Sequence, residues 1–243
     1  MRNLRLTLEY DGTGYAGFQR QRTRPTVQGD LEAALQRVLG EPVPVTAASR
    51  TDAGAHALGQ VVNFRTGRPI PLDRLVSAVN GRLPAQIRVR DAAEADDGFH
   101  SRFSARSRTY AYLVLNRPQG SALLERFCYH TAAPVDWARV NEAMRRFVGA
   151  HDFGAFTTGG AGRNVPREVY RAGCRRRGAF AVLTVEGNAF LYQMVRRMVT
   201  LALQIGGSGG PTELVTDVLV GKEARLRGAP VPARGLLLQR VRY

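Results

Sequence analysis

Leu4-Arg5-Leu6-Thr7-Leu8-Glu9-Tyr10, running into Asp11-Gly12-Thr13-Gly14, sets the fold class. Leu4, Leu6, Leu8 and Tyr10 alternate with Arg5, Thr7 and Glu9, the period-two pattern of a strand with one buried face, and the glycines close it with a turn. Val27, Leu31, Ala34, Leu35 and Val38 then recur at helical spacing, with Thr26 as N-cap and Gly40 as stop. Two strand patterns flank residues 50–56, a second helix carries Leu72, Leu75, Val76 and Val79, and Ile87 with Val89 supplies a fourth strand. The order is βαββαβ.

The rest of the chain repeats that order without repeating its sequence. Arg108 to Leu115 alternates as a strand, and Trp137, Val140, Met144, Phe147 and Val148 mark a helix. Val169 to Arg175 and Phe180 to Glu186 form a strand pair, a helix runs from about Phe190 to Ile205, and Leu236 to Val241 closes the sheet. The expected fold is α+β: two ferredoxin-like units sharing a continuous, mainly antiparallel sheet with a central cleft. Acidic, Ala-rich Asp91 to Asp97 is read as the linker, with units at residues 1–98 and 99–243, and Gly206 to Gly210 with Pro211 as a second break.

Charge narrows the function. The chain has 243 residues and a formal net charge of +15, and every basic residue except Lys222 is arginine. The guanidinium fork matches phosphate bidentately and stacks on bases, so an anionic, nucleic-acid partner is expected. Cys128 and Cys174 lack C-x-x-C spacing, and His56, His100, His130 and His151 are scattered, which argues against a disulfide scaffold or zinc site and fits a reducing cytosol. Met1 to Tyr10 has no signal-peptide core, and the apolar tract Met198 to Ile205 is too short for a bilayer, so a soluble intracellular protein is expected.

Four segments carry chemistry. Ala48-Ser49-Arg50-Thr51-Asp52-Ala53-Gly54-Ala55-His56 places an acid beside an arginine at a strand–loop junction. Alone it reads either as an Asx-type turn with a solvated Arg50 or as an acid with a catalytic task. Phe99 to Tyr112 interleaves aromatics with Arg102, Arg106 and Arg108, and strand period puts Tyr110 and Tyr112 on one face with Arg108; this suits single-stranded RNA or a core strand with a basic wet face. In Gly187 to Met198, read as opening the long helix, Arg196 lies beside Tyr192, Val199 and Leu203, where it is either partly buried against an anion or lays its stem along the surface; Arg197 falls on the polar side. His151 and Asp152 in Phe147 to Phe156 lack a Ser or Cys nucleophile in a recognisable setting and are given a structural or RNA-loop role.

Together these segments resemble the tRNA pseudouridine synthase A (TruA) family nearly end to end. Tyr10 to Gln19, Thr26-Val27-Gln28-Gly29, Arg50 to His56, Phe99 to Tyr112, Gly149 to Phe153, Gly187 to Arg196, Ala229-Pro230 and Gly235-Leu236 fall in family order. Gln193 stands where histidine is common, Arg197 where asparagine is, and Gly154 where serine is. The resemblance implies isomerisation of uridine to pseudouridine at positions 38, 39 and 40 of the tRNA anticodon stem-loop, by a cytoplasmic homodimer without metal or organic cofactor. It makes Asp52 the essential carboxylate, as nucleophile at sugar or base or as a base toward the ribose. Arg196 pairs with Asp52 and favours its ionised form. On the same resemblance Tyr110 is expected to stack on the uracil with its hydroxyl assisting proton transfer from C5, Arg50 to enter the space of the flipped uridine, and Leu236 to line the pocket. Two rivals remain: a non-catalytic RNA-binding protein of two ferredoxin-like units, and a metal-dependent nuclease, which would need clustered carboxylates that Asp52 lacks in sequence.

Overall fold

The computed structural model describes residues 1–157, 166–221 and 228–243. In chain order the elements are β1 (Arg2–Tyr10), α1 (Val27–Leu39), β2 (Thr46–Ala47), β3 (His56–Thr66), α2 (Leu72–Asn80), β4 (Ile87–Ala95), β5 (Ser107–Asn116), β6 (Tyr129–Thr131), α3 (Trp137–Arg145), β7 (Gly149–Asp152), β8 (Pro166–Arg177), β9 (Phe180–Gly187), α4 (Met194–Ser208), α5 (Leu214–Leu219) and β10 (Leu236–Arg242). The fold is α+β, with a large and mostly antiparallel sheet. Backbone contacts divide the chain into two compact units, Met1–Arg106 with Leu238–Tyr243, and Ser107–Leu237. Where the sequence reading ends the first unit at residue 98, it runs on to Arg106 and also takes back the end of β10.

In the first unit the strands lie in the order β4-β1-β3-β10, with β2 against β3. Leu4, Leu6, Leu8 and Tyr10 are buried as their alternation requires, and each fully buried leucine contributes about 1.5–3 kcal/mol. Thr26 caps α1 by accepting from Gly29 N, and Gly40 ends the helix at φ 69°, the left-handed region where a glycine has no Cβ penalty. The linker expected at Asp91 to Asp97 is overturned. β4 continues to Ala95 and pairs with β1, Asp91 opposite Thr7 and Ala95 opposite Asn3. Alanine and acid are weak strand formers, but the ladder outweighs their propensity.

In the second unit β5, β9, β8 and β7 follow in order, with β6 parallel to β5. The long helix differs from its expected start. It begins at Met194, not Phe190, because Gln193 sits at φ 60° and breaks the helical path. Leu191 and Tyr192 therefore precede the helix, while Met194, Val195, Met198, Leu201 and Ile205 form its buried face. The break expected at Gly206 also moves. α4 runs through Gly206 to Ser208, and a Cβ at Gly206 would overlap Val140, so this glycine lets α3 and α4 pack closely; the turn comes at Gly209, φ 69°. α3 stops at Arg145, leaving Phe147 beyond it in a cluster with Phe153 and Phe156.

Candidate active site

Asp52 lies in the first unit, in the loop between β2 and β3. Its neighbours are fixed by buried polar contacts. Ser49 N donates to Gln60 Oε1 at 3.3 Å, and Gln60 Nε2 donates to Ser49 O at 2.7 Å, which pins the loop's entry to β3. Gln60 is fully buried, and its amide is held further by Val61 N at 3.2 Å and the Tyr10 hydroxyl at 3.4 Å. Thr51, also buried, shares a 2.7 Å hydroxyl contact with Tyr10, and its carbonyl accepts from Phe18 N. Gly54 at φ 78° turns the chain, and Ala55 N returns to Asp52 O at 3.1 Å.

The turn after β1 holds this loop from the other side. A Cβ at Gly12 would overlap the Ala55 carbonyl, and one at Gly17, already at φ 102°, would come within 2.8 Å of Thr51 O. His56 Nδ1 accepts from Gly12 N at 3.0 Å, and Tyr15 O accepts from Gly54 N at 3.2 Å. Tyr15 donates its hydroxyl to Asp30 at 2.7 Å, and burial together with that carboxylate pushes its phenol well above the ordinary value. Thr51 and Ala55 are thus buried on either side of a half-buried Asp52, while Arg50 is exposed. The chain from Ser49 to Asp52 is loop.

Tyr110, Arg196 and Leu236 lie in the second unit. Tyr110 is buried on β5, and its ring meets Phe190 edge-on, with centroids 5.3 Å apart and planes at 88°. Phe190 sits on the loop from β9 to α4, which Asn188 fastens: its backbone N donates to Glu168 O, and Arg108 Nη1 donates to Asn188 O at 2.6 Å. Arg108 and Tyr112 are buried too, so of the two readings open for this strand, the core strand with Arg108 on a wet face is not what β5 forms.

Arg196 is half-buried, and the shifted helix start places it in the first turn of α4, at the positive end of the helix dipole. A cation is unfavourable there without an anion close by. Its Nε donates to Val231 O at 2.8 Å, which fixes the guanidinium plane. Val231 N donates in turn to Thr200 Oγ1 at 2.9 Å, and Thr200 donates to Arg196 O at 2.8 Å, closing a ring of hydrogen bonds. Arg197 is half-buried rather than solvated, and its Nε has no hydrogen-bond partner among the described residues.

The strap from Val231 to Leu236 is latched again by Tyr112. This fully buried tyrosine donates to Pro232 O at 2.8 Å, and a Cβ at Gly235 would lie 2.7 Å from its ring. Burial, opposed by Arg196 nearby, holds the Tyr112 phenol far above its ordinary value, so it stays a donor. Leu236 follows as a buried residue at the start of β10. The sequence reading missed Gln60, Thr200, Val231 and Phe190. Of these only Phe190 carried a signal, as an aromatic in a glycine-led loop.

His151 and Asp152 serve local structure: His151 Nε2 meets Val148 O at 3.1 Å, and Asp152 Oδ1 accepts from Gly154 N at 2.8 Å. No group of three or more His, Cys, Asp or Glu among the described residues is placed to hold a metal ion. No described helix is long and apolar enough to cross a membrane.

The sequence profile of the tRNA pseudouridine synthase family matches residues 7–104 and 143–243, taking in every residue just described except Arg108, Tyr110 and Tyr112. A tRNA pseudouridine synthase A of Thermoanaerobacter sp. (strain X514) is 37% identical over 244 residues, covering 100% of both chains. The chain belongs to the tRNA pseudouridine synthase A family. It is an isomerase that converts uridine to pseudouridine in tRNA. The tRNA pseudouridine synthase A of Syntrophotalea carbinolica is 41% identical, covering 99% of this chain and 96% of its own. That of Brevibacillus brevis is 38% identical over 100% of both. A chain from the crystal structure of a Cbf5-Nop10-Gar1 complex aligns with 82% of this synthase and 45% of itself, at 11% identity and a TM-score of 0.35, too low to bear on the site.

Proposed function

We propose that this synthase acts on uridines 38, 39 and 40 of the tRNA anticodon stem-loop, as a cytoplasmic homodimer, without metal or organic cofactor. Asp52 is the essential carboxylate and Arg196 its counter-charge. Tyr110 stacks on the target uracil, Leu236 lines the pocket, and Arg50 fills the space that the flipped uridine leaves. The observation that carries the reading is the Asp52 loop itself: a half-buried acid in a +15 chain, with Thr51 before it held by the buried Tyr10 hydroxyl and Ser49 held on both sides of its backbone by Gln60. An acid held that tightly repels phosphate, so a mere RNA-binding surface gains nothing from it. A reaction that moves a base gains preorganisation.

The chemistry sets the requirements. The N1–C1′ bond breaks, the uracil turns while it is retained, C5 bonds to C1′, and the C5 proton leaves while N1 takes one up. A stem uridine must first leave the helix stack, which costs a few kcal/mol. Arg50, exposed at the loop, is suited to enter the vacated space. Arg196 in the first turn of α4 gains from an anion, and a carboxylate supplies one. Whether Asp52 attacks sugar or base, or removes a ribose proton, the same fixed carboxylate serves.

Tritium release from C5-labelled uridine tests the assignment. Anticodon stem-loops carrying labelled uridine at only position 38, 39 or 40 should each release tritium to water with the strand intact. Release from uridines elsewhere in tRNA but not from these would overturn the position. A monomer under light scattering at assay concentration would overturn the homodimer.

A further inference from the structure

Phe103 is the most exposed aromatic among the described residues, at 75%, and nothing in the site described above uses it. A single exposed phenylalanine is ordinary by itself; what sets this one apart is the turn that holds it and the groups against its ring. The backbone beneath it is tightly built. Ser104 N donates to His100 O at 2.9 Å, His100 N donates to Ser104 Oγ at 3.0 Å, and the Arg102 and Phe103 amides both point at His100 Nδ1, at 3.2 and 3.3 Å. Ser101, fully buried, anchors the turn: its amide donates to Asn63 Oδ1, its hydroxyl to Thr46 O at 2.5 Å, and its carbonyl accepts from Tyr243 OH. Thr46 opens β2, the strand that leads into the Asp52 loop. The turn is therefore fixed to the strand that feeds the catalytic carboxylate.

The ring is also dressed for one kind of contact. The His100 ring lies 4.4 Å from it, tilted by 33°, and the Arg102 guanidinium carbon lies 5.3 Å from its centroid. Arg102, Ser104 and Arg106, close to it in sequence, are exposed. A protein-docking phenylalanine sits in an apolar patch; this one has an imidazole and a guanidinium against its ring. A rigid aromatic face flanked by an arginine is what a nucleobase recognises.

We propose that Phe103, with His100 and Arg102 behind it, is a stacking platform for an unstacked base of the tRNA substrate outside the target uridine. The proposal rests on tRNA being the substrate, and it adds a second base contact in the first unit. Stacking on one aromatic changes affinity by roughly fivefold to a hundredfold and carries no charge.

The test compares tRNA affinity by fluorescence anisotropy for the native chain and for Phe103→Ala, Phe103→Leu and Phe103→Trp across a salt series, with a thermal melt of each. Phe103→Ala and Phe103→Leu should weaken binding by about tenfold, and Phe103→Trp should bind like the native chain. Melting points should stay together, because the side chain is outside the core, and the slope of log affinity against log salt should not change. Native affinity in Phe103→Ala would overturn the platform, as would Phe103→Leu matching the native chain. Loss of self-association in Phe103→Ala by light scattering, with affinity for a short single-stranded RNA unchanged, would also overturn it in favour of an interface between copies. Tritium release by the native chain separates the two readings: without it the synthase reading fails, while the affinity series still judges Phe103.

Discussion

The Asp52 loop and the start of α4 solve the same problem, holding a charged side chain still, in different ways. Around Asp52 the constraint comes from glycines that admit backbone contact, Gly12 against Ala55 and Gly17 against Thr51, and from the buried Gln60 and Tyr10. Around Arg196 it comes from a strap distant in sequence, Val231 to Leu236, tied down by Thr200 and Tyr112. The first arrangement tolerates almost no added volume. The second also packs closely where Gly235 meets Tyr112, but the Arg196 side chain itself is held by single hydrogen bonds, each worth about 0.5–1.5 kcal/mol, and its placement should fail by degrees.

The largest expected effect is at Asp52. Asp52→Asn keeps the size of the side chain and removes its charge, so tritium release should fall by at least roughly 10²–10⁴-fold while the protein still binds tRNA. Turnover like that of the native chain would end the catalytic assignment. Gly17→Ala comes next. It forces a Cβ against the Thr51 carbonyl at a positive φ, which should cost about 2–4 kcal/mol in urea unfolding and most of the activity. Unchanged stability would show that the loop yields, and the contrast between the two regions would collapse.

A smaller effect is expected at Thr200. Thr200→Val keeps the buried shape but removes the hydroxyl that bonds Val231 and Arg196. It should lower kcat by about tenfold with KM little changed, and Thr200→Ser should restore most of it. Equal loss in both variants would mean that packing, not the hydroxyl, is what matters. The smallest effect concerns Cys174, which no catalytic step uses. Burial pushes its thiol up to about 11, so alkylation of the folded protein should keep accelerating between pH 9 and pH 11. A rate that levels near pH 8.5, the ordinary cysteine value, would show the thiol to be accessible.

Much of this was legible in the residues. The alternation of Leu4 to Tyr10 and the Thr26 and Gly40 caps appear as read, because strand period and capping are local. The acid-and-glycine segment at Asp52 was visible for the same reason. Misreadings arose where partners are distant. Asp91 to Asp97 resembles a linker by composition, but β1 recruits its first residues as a strand. Phe190 to Gln193 continues a helical pattern, yet the left-handed Gln193 starts α4 later and moves Arg196 into the first turn.

The sequence by itself determined the alternating pattern of strands and helices, the arginine-rich charge and the residues of the signature loop, since each is written in neighbours a few positions apart. Tertiary structure alone decided which glycines are contacts rather than breaks, that Gln60 pins the Asp52 loop, and that Thr200 and Val231 set the Arg196 side chain. The physical reason is that these are close approaches between segments far apart in the chain, where the partner of a buried polar group is chosen by packing and by no local periodicity.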